Sequence, residues 1–216
     1  MDFLGAYQLH NISFLLKGLL VTLEVAAIST VLSFLIGCLL ASIRYAKIPI
    51  VAQVTGVWVE LIRNLPLLLL IFFTRFALPE VGLKMGAFMS TIAAMTVFQS
   101  AMISEIVRSG LTSIDKGQIE AARASGLTYL QTLWSIILPQ ALRRMVPPTI
   151  SQFIALLKDT SLATIIALPE LMHNMFIVKS QNVNYIVPAF LLTGVLYFIV
   201  NYALSLAAKR LELKRT

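Results

Sequence analysis

Long uncharged stretches separate clusters of charge along this chain. Val25 to Ile43, Met85 to Ser104 and Ser180 to Ala208 contain no Asp, Glu, Lys or Arg, and each approaches or exceeds the ~20 apolar residues that cross a hydrocarbon core of ~30 Å. Leu65 to Leu78 and Met145 to Leu168 extend the pattern to five, provided the polar groups inside them are tolerated. The pattern predicts a single all-α membrane domain over 1–216 with five transmembrane helices, at approximately 19–43, 52–78, 85–107, 145–168 and 183–208. A long polar loop, 109–144, separates helices three and four.

Composition supports lipid as the solvent. Hydrophobic residues make up 58% of the chain, mean hydropathy is +0.87 and only 12% of residues are charged, well outside the range of a water-soluble domain. The net charge of +7 would suit nucleic acid, but in a membrane chain the placement of Lys and Arg carries more information than their sum. Arg44, Lys47 and Arg63 follow the first span; Arg108, Lys116, Arg123, Arg143 and Arg144 follow the third; Lys209, Arg210, Lys214 and Arg215 follow the fifth. The other side receives only Lys17, Arg75, Lys84 and Lys179. The positive-inside rule therefore predicts an external N-terminus and a cytoplasmic C-terminus. The opening MDFLGAYQLHN has an acidic residue and no basic one, so no cleavable signal is expected and the first span should itself direct insertion. The single cysteine, Cys38, excludes an internal disulfide and reads as a small packing residue.

Residues 1–17 read as a short amphipathic lead-in at the outer surface, with Phe3, Leu4, Tyr7, Phe14 and Leu15 as apolar contacts, or as a frayed terminus. LPEVGLKMG joins the second and third spans through a tight outer turn. The cytoplasmic loop has its own punctuation. Asp115 with Gln118 suits a helix N-cap with a reciprocal partner, and Gly126 a left-handed stop. Thr128 with Gln131 repeats the cap pattern, and Leu130, Leu133, Trp134 and Ile137 then form an apolar face before Pro139, which should pack onto the bundle. The first of these two helices, KGQIEAARASG, offers Ala121, Ala122, Ala124 and Ser125 and little apolar area, which suits presentation to a separate protein. A helix lying on the membrane surface is the alternative, but it would need bulky anchors and has only Ile119.

Glu120-Ala121-Ala122, then three residues, Gly126, nine residues, Ile136, one residue and Leu138-Pro139 resembles the EAA loop of the permease subunits of binding-protein-dependent ABC importers. SEIVRSGLTSIDKGQIEAARASG, ILPQALRRMVPP, ELIRNLPLLLL and LLKDTSLATIIALPEL are similar to the subfamily that takes up polar amino acids, and the resemblance covers most of residues 15–212. Asn64-Leu65 before Pro66 departs from the small pair many relatives carry there. The resemblance implies a five-helix subunit of the bacterial inner membrane that works as a dimer, of identical or related chains. It also implies a separate cytoplasmic ATPase that uses ATP and Mg and docks on the EAA helix through Glu120, Ala121, Ala122 and Gly126, and an external solute-binding protein. A glutamine- or glutamate-like amino acid is the implied substrate. The chain itself would be a transport subunit and no enzyme, with no bound cofactor; it contains no Gly-Lys pair, so it has no G-x-x-x-x-G-K-[ST] phosphate loop of its own.

Ionisable groups at bilayer depth cost at least ~2.5 to 3.5 kcal/mol on insertion scales, and each needs a reason. Glu24 interrupts the first span; Glu60 with Arg63 and Glu105 with Arg108 are i, i+3 pairs at cytoplasmic helix ends, where a structural role, or one in gating or bracing the loop, is open. Lys158 and Asp159 lie deeper, followed by the hydroxyls of Thr160 and Ser161. Adjacent helical residues point ~100° apart and do not pair side by side. These four residues with Glu24 are candidates for the substrate path, the ammonium and carboxylate supplying the two charges a zwitterion needs; a buried interhelical ion pair is the alternative. His10 and His173 read as surface residues, with no cluster of metal-ligand spacing, and no nucleophile constellation favours a membrane enzyme. An ion-gradient-driven secondary transporter of a small polar solute is the competing function, disfavoured because the two halves show no internal repeat.

Overall fold

The computed structural model describes the backbone of residues 1–213 and the side chains of residues 1–210. Lys214 and Arg215 of the charge count lie outside the described residues. Every regular element among the described residues is helical. In order they are α1 (Phe3–Ala6), α2 (Leu9–Tyr45), α3 (Val51–Arg63), α4 (Leu67–Phe72), α5 (Ala87–Thr112), α6 (Lys116–Ala124), α7 (Tyr129–Thr132), α8 (Leu138–Asp159), α9 (Leu171–Gln181) and α10 (Ile186–Leu213). A π turn, Phe73–Ala77, and a 3-10 turn, Leu78–Val81, prolong α4; a second π turn, Leu133–Ile137, joins α7 to α8; a 3-10 stretch, Thr160–Ile166, follows α8. Three helices are long and apolar enough to cross a membrane, and up to five spans result if α3 with α4, and α8 with α9, each count as one broken span. Between α3 and α4, Pro66 lacks an amide donor and disfavours helical backbone at the residue before it, and the apolar run resumes as a new helix at Leu67.

The chain divides into two compact units. The first comprises Met1–Val31, Leu65–Thr96 and Phe153–Ala207. Its core is Leu15, Leu171, Met175, Val178 and Ala189, with Phe14, Phe176 and Tyr197 packed against it. The expected lead-in is thus corrected: α2 begins at Leu9, and Phe14 and Leu15 are core residues, although Leu4 is 90% exposed. Asp2 caps α1 by accepting from Gly5 N, and the Tyr7 hydroxyl donates to the Pro188 carbonyl at 3.1 Å. The turn after α4 ends at Gly82, whose φ of 89° a side chain would resist. The Arg75 guanidinium donates to the Met85 carbonyl at 2.9 Å across this turn.

The second unit comprises Leu32–Asn64, Val97–Gln152 and the chain from Ala208 onward. Its core is Leu111, Ile114, Ile137, Ala141 and Met145, with Tyr45, Ile119 and Leu133 against it. Helices approach closely where side chains are small: a Cβ on Gly37 would lie 2.7 Å from the Ile103 side chain and 2.9 Å from the Ser100 carbonyl. Gln99 and Gln152 tie α5 to α8 by exchanging two hydrogen bonds of 3.1 Å, one to a backbone carbonyl. Large apolar side chains are left outward on the long apolar helices, Leu35 and Leu39 in this unit and Phe198 and Ile199 in the first.

The second loop helix does not stop at Pro139. It passes through the π turn and continues through Pro139, Pro147 and Pro148 to Asp159. A proline ring removes a donor and crowds the preceding turn; the π turn lies in the turn just before Pro139. The predicted apolar face is split. Leu133 and Ile137 pack inward, whereas Leu130 and Trp134 are 63% and 69% exposed.

Candidate functional site

The loop between α5 and α8 holds its short helix by local chemistry. The Asp115 carboxylate accepts from Gly117 N at 2.7 Å and starts α6. The anticipated reciprocal contact from Gln118 is replaced by a longer-range one, Gln118 accepting from the Gln140 amide at 2.7 Å. At the other end Gly126 takes φ 86°, with Leu127 N bonded to the Ala122 carbonyl at 3.2 Å, closing the helix in a left-handed stop. The Arg123 guanidinium donates to the Leu127 carbonyl at 2.8 Å across the stop. The Thr128–Gln131 capping box is complete. Ala122 is buried and Ile119 packs on the unit's core, while Glu120, Ala121, Ala124, Ser125 and Gly126 are exposed. One side of α6 is therefore anchored, and the other presents one carboxylate among small residues.

Beside the loop, the two i, i+3 pairs merge into one network. Glu105 accepts from Arg44 at 2.9 Å and from Arg108 through both carboxylate oxygens, and stands 3.9 Å from Arg63, which meets Glu60 at 3.5 Å. In the sequence Arg44 is only a charge that sets topology; its partner lies sixty-one positions away, and no local spacing reveals it. Arg144 adds a brace by donating to the backbone carbonyl and hydroxyl of Ser113.

The candidate path residues all lie in the first unit. Lys158 is exposed and Asp159 half-buried, at the junction of α8 with the 3-10 stretch, and neither has an ion-pair partner among the described residues. The Ser161 hydroxyl donates to the Lys158 carbonyl at 2.8 Å, and the Thr160 hydroxyl donates to that of Leu157 at 2.7 Å. Thr160 is fully buried and within reach of the Tyr197 hydroxyl. Glu24 is exposed, also without an ion-pair partner among the described residues. The deepest carboxylate is one the sequence did not single out. Glu170 is completely buried, caps α9 by accepting from Met172 N at 2.8 Å and His173 N at 2.7 Å, and accepts from the Tyr197 hydroxyl at 3.1 Å. Thr22 completes the cluster, accepting from Leu171 N at 3.2 Å. The ALPEL segment carried a possible signal, a Glu just before an apolar helical run, which is an N-cap position.

A short helix with a small-residue face, held beside apolar helices, is the arrangement the EAA spacing implies. Residues 33–216 match the family of binding-protein-dependent transport system inner membrane components. The chain belongs to this family. Over its whole length the permease is 61% identical to the probable glutamine ABC transporter permease protein GlnP of Bacillus subtilis, covering 100% of both chains. It is 35% identical to the probable glutamine ABC transporter permease protein GlnM of Bacillus subtilis, over 94% of this chain and 93% of that one. Among solved structures, an amino acid ABC transporter crystallised with histidines superposes with a TM-score of 0.92 at 27% identity, covering 99% of each chain. The MetNI methionine ABC transporter in an inward-facing conformation shares the fold, with a TM-score of 0.76 at 24% identity over 97% of this chain and 99% of that one. The permease is thus a membrane-embedded transport subunit and no enzyme, with ATP hydrolysis belonging to a partner. Family membership also removes the gradient-driven alternative.

Proposed function

We propose that this permease is the five-span subunit of a bacterial inner-membrane importer of a polar amino acid, glutamine or a close analogue, with its N-terminus outside and its C-terminus in the cytoplasm. In this reading α6 docks in a cytoplasmic ATPase that uses ATP and Mg, a second permease chain completes the pathway, and an external solute-binding protein delivers the substrate. The observation that carries it is the split character of α6: Ile119 and Ala122 anchor the helix, while Glu120, Ala121 and the Gly126 stop stay exposed. Small exposed side chains let a partner's cleft close on the helix backbone, and the anchored side passes that movement to the core. The relatives' names supply the substrate class. Lys158 and Asp159 are the groups proposed to meet the substrate's carboxylate and ammonium, with Ser161 and Glu24 nearby in sequence or unit. Thr160, closed inside the unit, supports this segment from behind.

The test is a pair of variants. Gly126→Val places a β-branched residue at φ 86°, a strain of roughly 1 to 2 kcal/mol, and Glu120→Lys reverses the exposed charge. Both should insert normally and either lose the ATPase on purification or hydrolyse ATP without uptake. Wild-type uptake with the ATPase fully retained in both variants would defeat the docking assignment.

A further inference from the structure

Two cavities of the second unit share one wall and differ in chemistry. One, about 550 Å³, is lined by Arg44, Lys47, Arg108 and Lys116 together with Tyr129 and Leu111, with no acidic residue in its lining. The other, about 300 Å³, is lined by Phe34, Cys38, Val107, Leu142 and Ile150, and again by Leu111. Phe34, Cys38 and Ser42 follow one another at four-residue steps along α2 and reach the basic cavity at Arg44. On α5 the same change occurs from Val107 to Arg108. Apolar lining thus gives way to cationic lining where the uncharged stretch of α2 ends, after Ile43.

We propose that these joined cavities are a binding site for an anionic phospholipid, the phosphate held by the four cations and an acyl chain laid in the apolar cavity. The acidic groups nearest the site do not cancel its charge. Glu105 bridges Arg44 and Arg108 and neutralises one of them at most, and the Asp115 carboxylate is taken up by Gly117 N. Lys47 and Lys116 are exposed and have no ion-pair partner among the described residues. Lys47 is also held at φ 52°, uncommon for a residue with a side chain. A free phosphate would use only the basic cavity. The apolar cavity next to it, which shares Leu111 with it and is lined from the same parts of α2 and α5, is what selects a lipid, in the manner of basic pockets between membrane helices that take lipid head groups. The inference rests on membership of a membrane family and not on the substrate or orientation assigned above, so either can fail without the other.

The full chain, purified in detergent with its co-purifying subunits, would be titrated in mixed micelles with dioleoylphosphatidylglycerol, with dioleoylphosphatidylcholine and with inorganic phosphate, following melting temperature and lipid retention by native mass spectrometry. Phosphatidylglycerol should be retained and raise the melting temperature, with neither effect from phosphatidylcholine. The double variant Lys47→Gln/Lys116→Gln should bind it roughly 30-fold more weakly, the equivalent of ~1 kcal/mol for each cation, while melting as the wild type does in phosphatidylcholine. Ser42→Phe, which fills the apolar cavity, should weaken retention without touching the cations. Equal retention of both lipids, an equal stabilisation by inorganic phosphate, a cavity covered by a second protein chain with no lipid retained, or undiminished binding by the double variant would each overturn the proposal.

Discussion

Glu105 and Glu60 look alike in the sequence, each a glutamate three residues before an arginine, and the structure makes them very unequal. Glu105 accepts hydrogen bonds from two arginines and lies 3.9 Å from a third, with its side chain 21% exposed. Glu60 meets one arginine, Arg63, at 3.5 Å, accepts from the Asn64 amide at 3.5 Å, and is 65% exposed. Hydrogen bonds to charged groups contribute ~1.5 to 3 kcal/mol each, and breaking a fully buried ion pair costs ~3 to 5 kcal/mol. The arginines around Glu105 keep 15 to 34% of their exposure, so water screens part of this, and the amide of Glu105→Gln retains one acceptor oxygen. A loss of about 2 to 3 kcal/mol remains, because Arg44, Arg63 and Arg108 are left facing one another. For Glu60→Gln the exposed i, i+3 pair contributes no more than ~0.5 kcal/mol.

Both variants can be unfolded by denaturant titration of the detergent-purified permease, alongside Arg44→Gln and the Arg44→Gln/Glu105→Gln double variant. The Arg44–Glu105 coupling energy from this cycle should exceed ~1 kcal/mol, as residues sharing one network do. Equal losses for Glu105→Gln and Glu60→Gln, or a coupling energy near zero, would refute the claim that Glu105 ties the ends of α2 and α5 together.

Two further outcomes follow from the packing and the path assignment. Gly37→Val should destabilise the second unit by at least ~1 to 3 kcal/mol, because its Cβ alone would sit 2.7 Å from Ile103; a wild-type unfolding curve would show that α2 and α5 do not meet there. Asp159→Asn should alter or weaken amino-acid uptake while leaving insertion, assembly and basal ATPase activity intact, and unchanged uptake in a less stable protein would make Asp159 a structural residue.

What could be read from the sequence divides by how local its cause is. The Thr128–Gln131 box and the Gly126 stop each depend on neighbours within a turn, and both form as expected. The π turn at Leu133–Ile137 does not. Its register is set by Ile137 and Ala141 reaching the core around Leu111 and Met145, while Leu130 and Trp134 turn away; no period in the segment itself distinguishes that from a regular helix ending at Pro139. Arg44, the distant partner of Glu105, and Tyr197, that of Glu170, are hidden for the same reason. Arg44 is sixty-one positions from Glu105, and Tyr197 is twenty-seven from Glu170. A single sequence shows a charge in an apolar stretch without showing what answers it.

That distinction separates the acidic residues of the first unit. An ionised carboxylate has about four acceptor sites. Glu170 fills three of them with Met172 N, His173 N and the Tyr197 hydroxyl, has Thr22 within reach, and is closed to solvent. A substrate ammonium would have to displace these bonds and open the core of Leu15, Leu171 and Met175 to reach it. Asp159 is half-buried, beside an exposed Lys158, with no ion-pair partner among the described residues. A carboxylate half-buried in an apolar stretch, with only the neighbouring Lys158 to offset it, keeps capacity for a ligand's positive charge, which is the role proposed for it. Of the two, the sequence singles out only Asp159; the state of the acceptor sites gives Glu170 the task of holding α9 and supports the transport role proposed for Asp159.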